Sequence, residues 1–149
     1  MLIGFFMSDI MRNILLLLLL FASIKSYAQR DTIFCESGLK YVRLKEGDGK
    51  KPVDGQRVKV TYVGKLLNGE IFQALEPGDV FMFKIGDPGI IKGWNEGFKL
   101  MSQGEKGVLV VPPFLGYGSK GQKDLEGEKE YMIPPNATLI FEIELISIK

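Results

Sequence analysis

Two stretches of regular alternation constrain this chain most. In "VKVTYVGKL", Val58, Val60, Tyr62 and Leu66 fall on one side, and Lys59, Thr61 and Lys65 fall mostly on the other. In "TLIFEIELISIK", Leu139, Phe141, Ile143 and Leu145 face one way and Glu142 and Glu144 the other. Successive side chains of a strand point to opposite faces, so each stretch reads as a half-buried strand with an apolar side that must be covered. One segment offers the cover: in "GIIKGWNEGFKLM", Ile91, Trp94, Phe98 and Met101 recur at helical spacing.

Shorter signals fill in the sheet. Asn68-Gly69 marks a hairpin turn leading into "EIF". "VFMFKIG" places Phe81, Phe83 and Ile85 on a common face, "KGVLVVPP" is a strand stopped by two prolines, and a further short strand begins within "SGLKYVRL". The expected fold is α+β: a twisted antiparallel sheet of about five strands wrapped around one short helix. "SKGQKDLEGEKEY", from Ser119 to Tyr131, reads as an unusually long polar loop.

Residues 1–28 read as an export leader: Arg12, the apolar run "ILLLLLLFA", then small residues before a cut after Ala28. The run is too short to span a bilayer, which disfavours a membrane anchor. Residues 29–40 then form a short N-terminal extension and 41–149 one domain, which is expected to be exported (periplasmic or secreted), monomeric and free of the membrane after cleavage. Without Arg12, Lys25 and Asp9, the chain's 19 basic and 18 acidic residues become 17 of each. No basic stripe points to nucleic acid. Cys35, the sole cysteine, excludes an internal disulfide and reads as a free thiol near a mobile terminus.

The chain has no histidine. That removes Ser-His and Cys-His nucleophiles, His proton shuttles and His metal sites, and no Cys cluster, phosphate loop or calcium loop replaces them. No metal or other cofactor is expected, and any reaction should need no general base.

Gly93 and Gly97 weaken the helix by up to about 1 kcal/mol each relative to Ala, so missing side chains must be useful there; close packing against a curved sheet suffices. Trp94 would then point into the concave side of the sheet, where Tyr62, Phe72, Phe81, Phe83 and Phe141 can gather. Each ring alone reads as core; together they admit a dense core or an apolar cleft. Tyr117 lies between two glycines in "FLGYGSKG", a loop where a buried stripe is no explanation and either local packing or binding fits.

The order of "VTYVGKLLNGEIF", "FKIGDPGIIKGWNEGFKLMSQGEKGVLVVPP", "YGSKG" and "IPPNATLIFEIELI" resembles that of FKBP-type peptidyl-prolyl isomerases, from about Tyr41 to Lys149. The resemblance implies an apolar pocket for Xaa-Pro segments of unfolded or exported proteins, and for macrolide inhibitors. It implies Trp94 as the floor, Tyr62, Phe72, Phe81, Ile90, Ile91 and Phe141 as walls, and Phe83 and Ile133 as further substrate-binding residues. Tyr62, Trp94, Tyr117 and Phe141 are the residues on which catalysis would rest, with the Tyr117 hydroxyl and the Ile91 backbone N–H contacting the bound chain. Gln73 stands where the family usually has an acidic residue that hydrogen-bonds within the pocket, so an orienting contact to Tyr62 or to the ligand is weakened. The loop after Tyr117 is longer than in small members and borders the expected mouth. A noncatalytic proline-peptide or chaperone-like module and a pocket for a small apolar ligand are the alternatives.

Overall fold

The computed structural model describes residues 31–125, 127 and 129–149. The leader therefore lies outside the described residues. Among the described residues nine strands and one α-helix follow in order: β1 (Thr32–Phe34), β2 (Lys40–Lys45), β3 (Arg57–Leu66), β4 (Ile71–Ala74), β5 (Phe81–Lys84), α1 (Lys92–Leu100), β6 (Lys106–Val111), β7 (Gln122–Lys123), β8 (Tyr131–Ile133) and β9 (Leu139–Ile148). Seven of the strands form one antiparallel sheet in the order β1-β2-β6-β9-β3-β4, with β5 also on β3; β7 and β8 make a separate two-stranded pair.

The two alternating stretches become the long central pair β3 and β9. Their register sets Tyr62 opposite Ile143 and Gly64 opposite Phe141, which keeps the alternating apolar set on the inner face and leaves Val63, Ile140 and Ile146 on the outer one. Val58, Val60, Leu139, Phe141 and Leu145 are buried on the inner face. The outer face carries ion pairs instead, Lys65 with Glu142 at 2.6 Å and Lys106 with Glu144 at 3.0 Å. Partly exposed pairs of this kind stabilise little.

α1 lies against the concave face with Gly93, Trp94, Gly97 and Phe98 buried. Its glycines are the means of approach: a Cβ on Gly93 would lie 2.5 Å from Val111 Cγ1, and one on Gly97 2.5 Å from Leu109 Cδ2. Contacts that short do not occur, so the helix and β6 meet only because both side chains are missing. Lys99 in the last turn complements the negative end of the helix dipole.

The sheet is wider than about five strands at both edges. One gain is β1, a three-residue strand pairing Ile33 with Tyr41, which takes part of the 29–40 extension into the sheet. Leu39, from the same extension, is fully buried. Cys35 accordingly packs against the core rather than lying in a mobile tail, and burial, then the Glu96 carboxylate, raise its thiol pKa. The long polar loop is also not wholly irregular, since β7 and β8 pair within it and Lys129 forms an ion pair with Glu70 in the β3–β4 turn.

Glu105, at the start of β6, ties this edge together. Its buried carboxylate accepts hydrogen bonds from the Tyr41 hydroxyl (2.5 Å), Arg43 Nε (2.9 Å), and the Ser102 N–H (3.0 Å) and hydroxyl (2.7 Å). Burial pushes its pKa up, but these donors outweigh it and hold the pKa below the ordinary value.

Candidate functional site: an aromatic cleft over Trp94

The inner face of β3 and β9 delivers Tyr62 and Phe141 side by side, and β5 adds Phe81, paired with Val60. Trp94 rises from α1 into their midst. Five rings surround its indole, with centroids 4.8 Å (Tyr62), 5.2 Å (Phe141), 5.4 Å (Phe98), 5.5 Å (Phe83) and 6.0 Å (Phe81) away. Most meet edge to face, the arrangement the ring quadrupole favours. The indole is 5% exposed, and its Nε1–H has no hydrogen-bond acceptor among the described residues.

Above the indole opens a cleft of about 220 Å³, lined by Tyr62, Gln73, Phe81, Gly89, Ile90, Ile91, Trp94, Tyr117 and Phe141. Trp94 is therefore both core and floor. A larger depression of about 360 Å³ lies on the opposite face of β3 and β9, among Thr61, Val63, Glu76, Asp79, Lys106, Glu142 and Glu144. Apolar residues such as Leu44, Leu75 and Pro77 also line it, but it is more open and carries five charged side chains, so the smaller, more enclosed aromatic cleft is the better place to desolvate a peptide group.

Three polar side chains, Tyr62, Gln73 and Tyr117, reach this space from its walls. Tyr117 follows the 3₁₀ turn Pro113–Leu115, and its loop is pinned by Gly118 N–H to Pro113 O (2.8 Å), Asn136 N–H to Gly118 O (2.8 Å) and Gly121 N–H to Tyr117 O (3.2 Å). Burial raises the pKa of Tyr117; burial, then the neighbouring Tyr117 phenolate charge, raise that of Tyr62. Both are therefore neutral phenols, able to donate, at any pH near neutral. No residue of the lining is an acid, a base of the histidine kind or a thiol. Among the described residues no group of three or more His, Cys, Asp and Glu stands close enough to hold a metal ion.

Phe72, Phe83 and Ile133, expected in the binding surface, lie outside the lining. Phe83 is buried under the floor, tilted against Trp94 and edge-on to Phe98 at 5.3 Å. Ile133 ends β8 in the core with 1% exposure. Phe72 covers Gly64, where a Cβ would lie 2.6 Å from its ring, and supports Phe141 edge-on at 5.7 Å. Gly89 is the lining residue that sequence patterning missed, since a glycine in a turn carries no periodic signal.

An uncharged cleft with aromatic walls and two phenol donors has the chemistry to accommodate an apolar segment that displays carbonyl oxygens. The comparisons give the class its family. The profile of the FKBP-type peptidyl-prolyl cis-trans isomerases matches residues 48–146. FK506-binding protein 1 of Dictyostelium discoideum is 42% identical over 113 residues, covering 75% of this chain and 99% of that protein. FK506-binding protein 4 of Mycosarcoma maydis is 39% identical over 125 residues, covering 84% of this chain but only 31% of that longer protein. Among solved structures, the peptidyl-prolyl cis-trans isomerase of Pseudomonas syringae superposes with a TM-score of 0.69 at 33% identity, covering 82% of this chain and 84% of the other. The Escherichia coli protein FkpA gives 0.66 at 35% identity, covering 87% of this chain and 54% of the other.

The chain belongs to the FKBP-type peptidyl-prolyl cis-trans isomerase family. Its fold is the antiparallel sheet with one helix that AtFKBP13 shares at a TM-score of 0.70 and 36% identity, covering 80% of this chain and 99% of that one.

Proposed function

We propose that this protein is an exported isomerase that turns Xaa-Pro bonds in other exported proteins as they fold. The observation that carries the reading is the indole of Trp94 as the floor of an uncharged cleft walled by Tyr62, Phe81 and Phe141. The leader expected in the sequence supports the export. Passage of a reporter fused behind residues 1–28 across a membrane tests it.

Rotation about an Xaa-Pro bond faces a barrier of roughly 18–20 kcal/mol and takes tens to hundreds of seconds unassisted. No covalent bond breaks and no proton has to move. The planar amide owes its stiffness to charge-separated resonance, and the half-rotated amide has lost it and is less polar. Transfer from water into a dry aromatic cleft therefore costs the planar form more than the twisted one. Roughly 5–6 kcal/mol of such differential stabilisation gives about ten-thousandfold in rate. The cleft also selects the twisted shape, and the Tyr117 hydroxyl and the Ile91 N–H, which starts the turn into α1, hold the flanking carbonyls.

A protease-coupled assay on a proline tetrapeptide tests the reading: wild type accelerates isomerisation and the Trp94→Ala, Tyr117→Phe double variant does not. Equal, background rates for both would end it. Gln73 supports a second reading, a peptide holder with weakened catalysis, because an amide replaces a charge on the cleft wall. A large gain in rate for Gln73→Asp at unchanged affinity would place the natural protein nearer the holder.

A further inference from the structure

The cleft's lower wall and one of its polar contacts sit on a loop, Gly86 to Ile91, that joins β5 to α1 and carries Gly89, Ile90 and Ile91. Its N-terminal portion has no apolar anchor, since Gly86, Pro88 and Gly89 are all exposed, whereas Ile90 and Ile91 pack against the core. Its internal bonds are turn bonds: Asp87 N–H to Lys84 O (3.1 Å), Ile90 N–H to Asp87 O (3.1 Å) and Gly89 N–H to Asp87 Oδ1 (2.8 Å). These fix local curvature, and Ile90 and Ile91 anchor the C-terminal end on the core, but none of them ties the Gly86–Gly89 portion to the helix.

One side chain supplies that tie. Asn95, in the first turns of α1, accepts the Gly86 N–H at Oδ1 (2.8 Å) and donates from Nδ2 to Asp87 O (3.0 Å) and Ile90 O (3.3 Å). The amide thus uses both of its N–H groups and one acceptor site on the two ends of the same loop. The reversed amide would set its NH₂ against an N–H and its oxygen against two carbonyls, so only this orientation is consistent with the backbone. The backbone N–H groups of Trp94 (3.0 Å) and Asn95 (3.2 Å) both bond to Ile91 O, so the loop's last residue is held by the helix backbone and its first residues by the Asn95 side chain, one position beyond the Trp94 floor.

We propose that Asn95 is a positioning residue for the isomerase site: its carboxamide clamps the Gly86–Ile91 loop to α1 and so fixes the Ile90 and Ile91 walls and the Ile91 N–H over the indole. The inference rests on the isomerase reading for its kinetic consequence and on the hydrogen bonds alone for its structural one. No other polar side chain of similar size does the same work. A carboxylate keeps the Gly86 contact but turns an anion toward the two carbonyl oxygens, and an alanine keeps the helix but removes all three bonds.

The test uses the full domain as Asn95→Asp and Asn95→Ala, with the proline tetrapeptide assay and amide hydrogen exchange read in parallel. Asn95→Asp should raise KM about tenfold with a much smaller change in kcat, and Asn95→Ala should act in the same direction. Exchange should quicken at Gly86 and Ile90, whose N–H groups are bonded in the loop, while the amides of β3 and β9 keep their protection. Unchanged loop exchange in both variants would overturn the clamp even if the protein proved to have no isomerase activity. Faster loop exchange with wild-type KM would overturn its role in the site. Loss of protection throughout the sheet in both variants would reduce Asn95 to a stability residue.

Discussion

The rings of Tyr62 and Trp94 meet edge to face, centroids 4.8 Å apart and planes at 80°. A strand and a helix that follow independent periodicities thus converge on one contact, and the cleft opens directly above it. Because five rings lean on the indole, removing it should damage structure and site together. Trp94→Ala is expected to cost about 3–5 kcal/mol in denaturant unfolding. Trp94→Phe should cost clearly less, since it keeps a ring and removes a buried N–H that has no partner among the described residues, while still enlarging the floor and lowering kcat/KM.

Gly93 gives the cleanest test of how the helix reaches the sheet. Alanine is the better helix former by up to about 1 kcal/mol. Here its methyl would meet the stiff, fully buried Val111, so Gly93→Ala is expected to destabilise by about 1–3 kcal/mol and to lower activity by lifting Trp94. Unchanged stability by urea titration would show that α1 and β6 have slack.

Glu105 predicts an acid limb. Its folded pKa lies below the unfolded value, so the stability it confers is present above the ordinary carboxylate range and is lost as pH falls through the folded pKa. Glu105→Ala strands the buried Tyr41 hydroxyl and the Ser102 donors and leaves Arg43 with Asp31 alone, and should cost about 3 kcal/mol at neutral pH. Its stability should then decline less with acid than wild type does, as followed by urea midpoints at several pH values.

The phenols predict an alkaline limb of a different kind. Burial raises the pKa of Tyr62, Tyr117 and Tyr41, so each favours the folded state below its unfolded pKa and that contribution disappears as pH rises through the folded one. Nothing in the lining titrates between the carboxylate and phenol ranges, so kcat/KM should be flat from about pH 5 to pH 9. A bell-shaped profile inside that window would reveal an acid–base group absent from the lining.

The β7–β8 hairpin borders the loop of Tyr117 and is tied to the β3–β4 turn through Lys129 and Glu70, with Leu125 almost fully exposed in it. Shortening Ser119 to Tyr131 is expected to alter refolding of a proline-limited protein substrate more than isomerisation of a tetrapeptide. Equal effects on both would remove a role in client selection.

Much of this was legible in the sequence, and the reasons it was legible also mark where legibility stops. Parity along β3 and β9 places Tyr62 and Phe141 on the inner face because a one-residue slip would expose the whole apolar set. Parity gives a face and no depth: Phe81 and Phe83 share a face, yet Phe81 lines the cleft while Phe83 lies beneath the indole. Strand β1 is too short to show alternation, and the place of Ile133 depends on a hairpin inside a segment whose composition reads as loop. Asn95 gave no signal because its function is a set of bonds to backbone atoms, whose positions follow from the loop conformation and not from side-chain pattern.

The central claim is that a dry ring of aromatic side chains lowers the barrier to prolyl rotation without any proton changing hands. Its most direct test is kcat/KM for a proline tetrapeptide measured with residues 29–149 in H₂O and in D₂O across the plateau of the pH profile. The account predicts a catalysed rate far above background and the same in both solvents. A catalysed rate that is clearly slower in D₂O would contradict it.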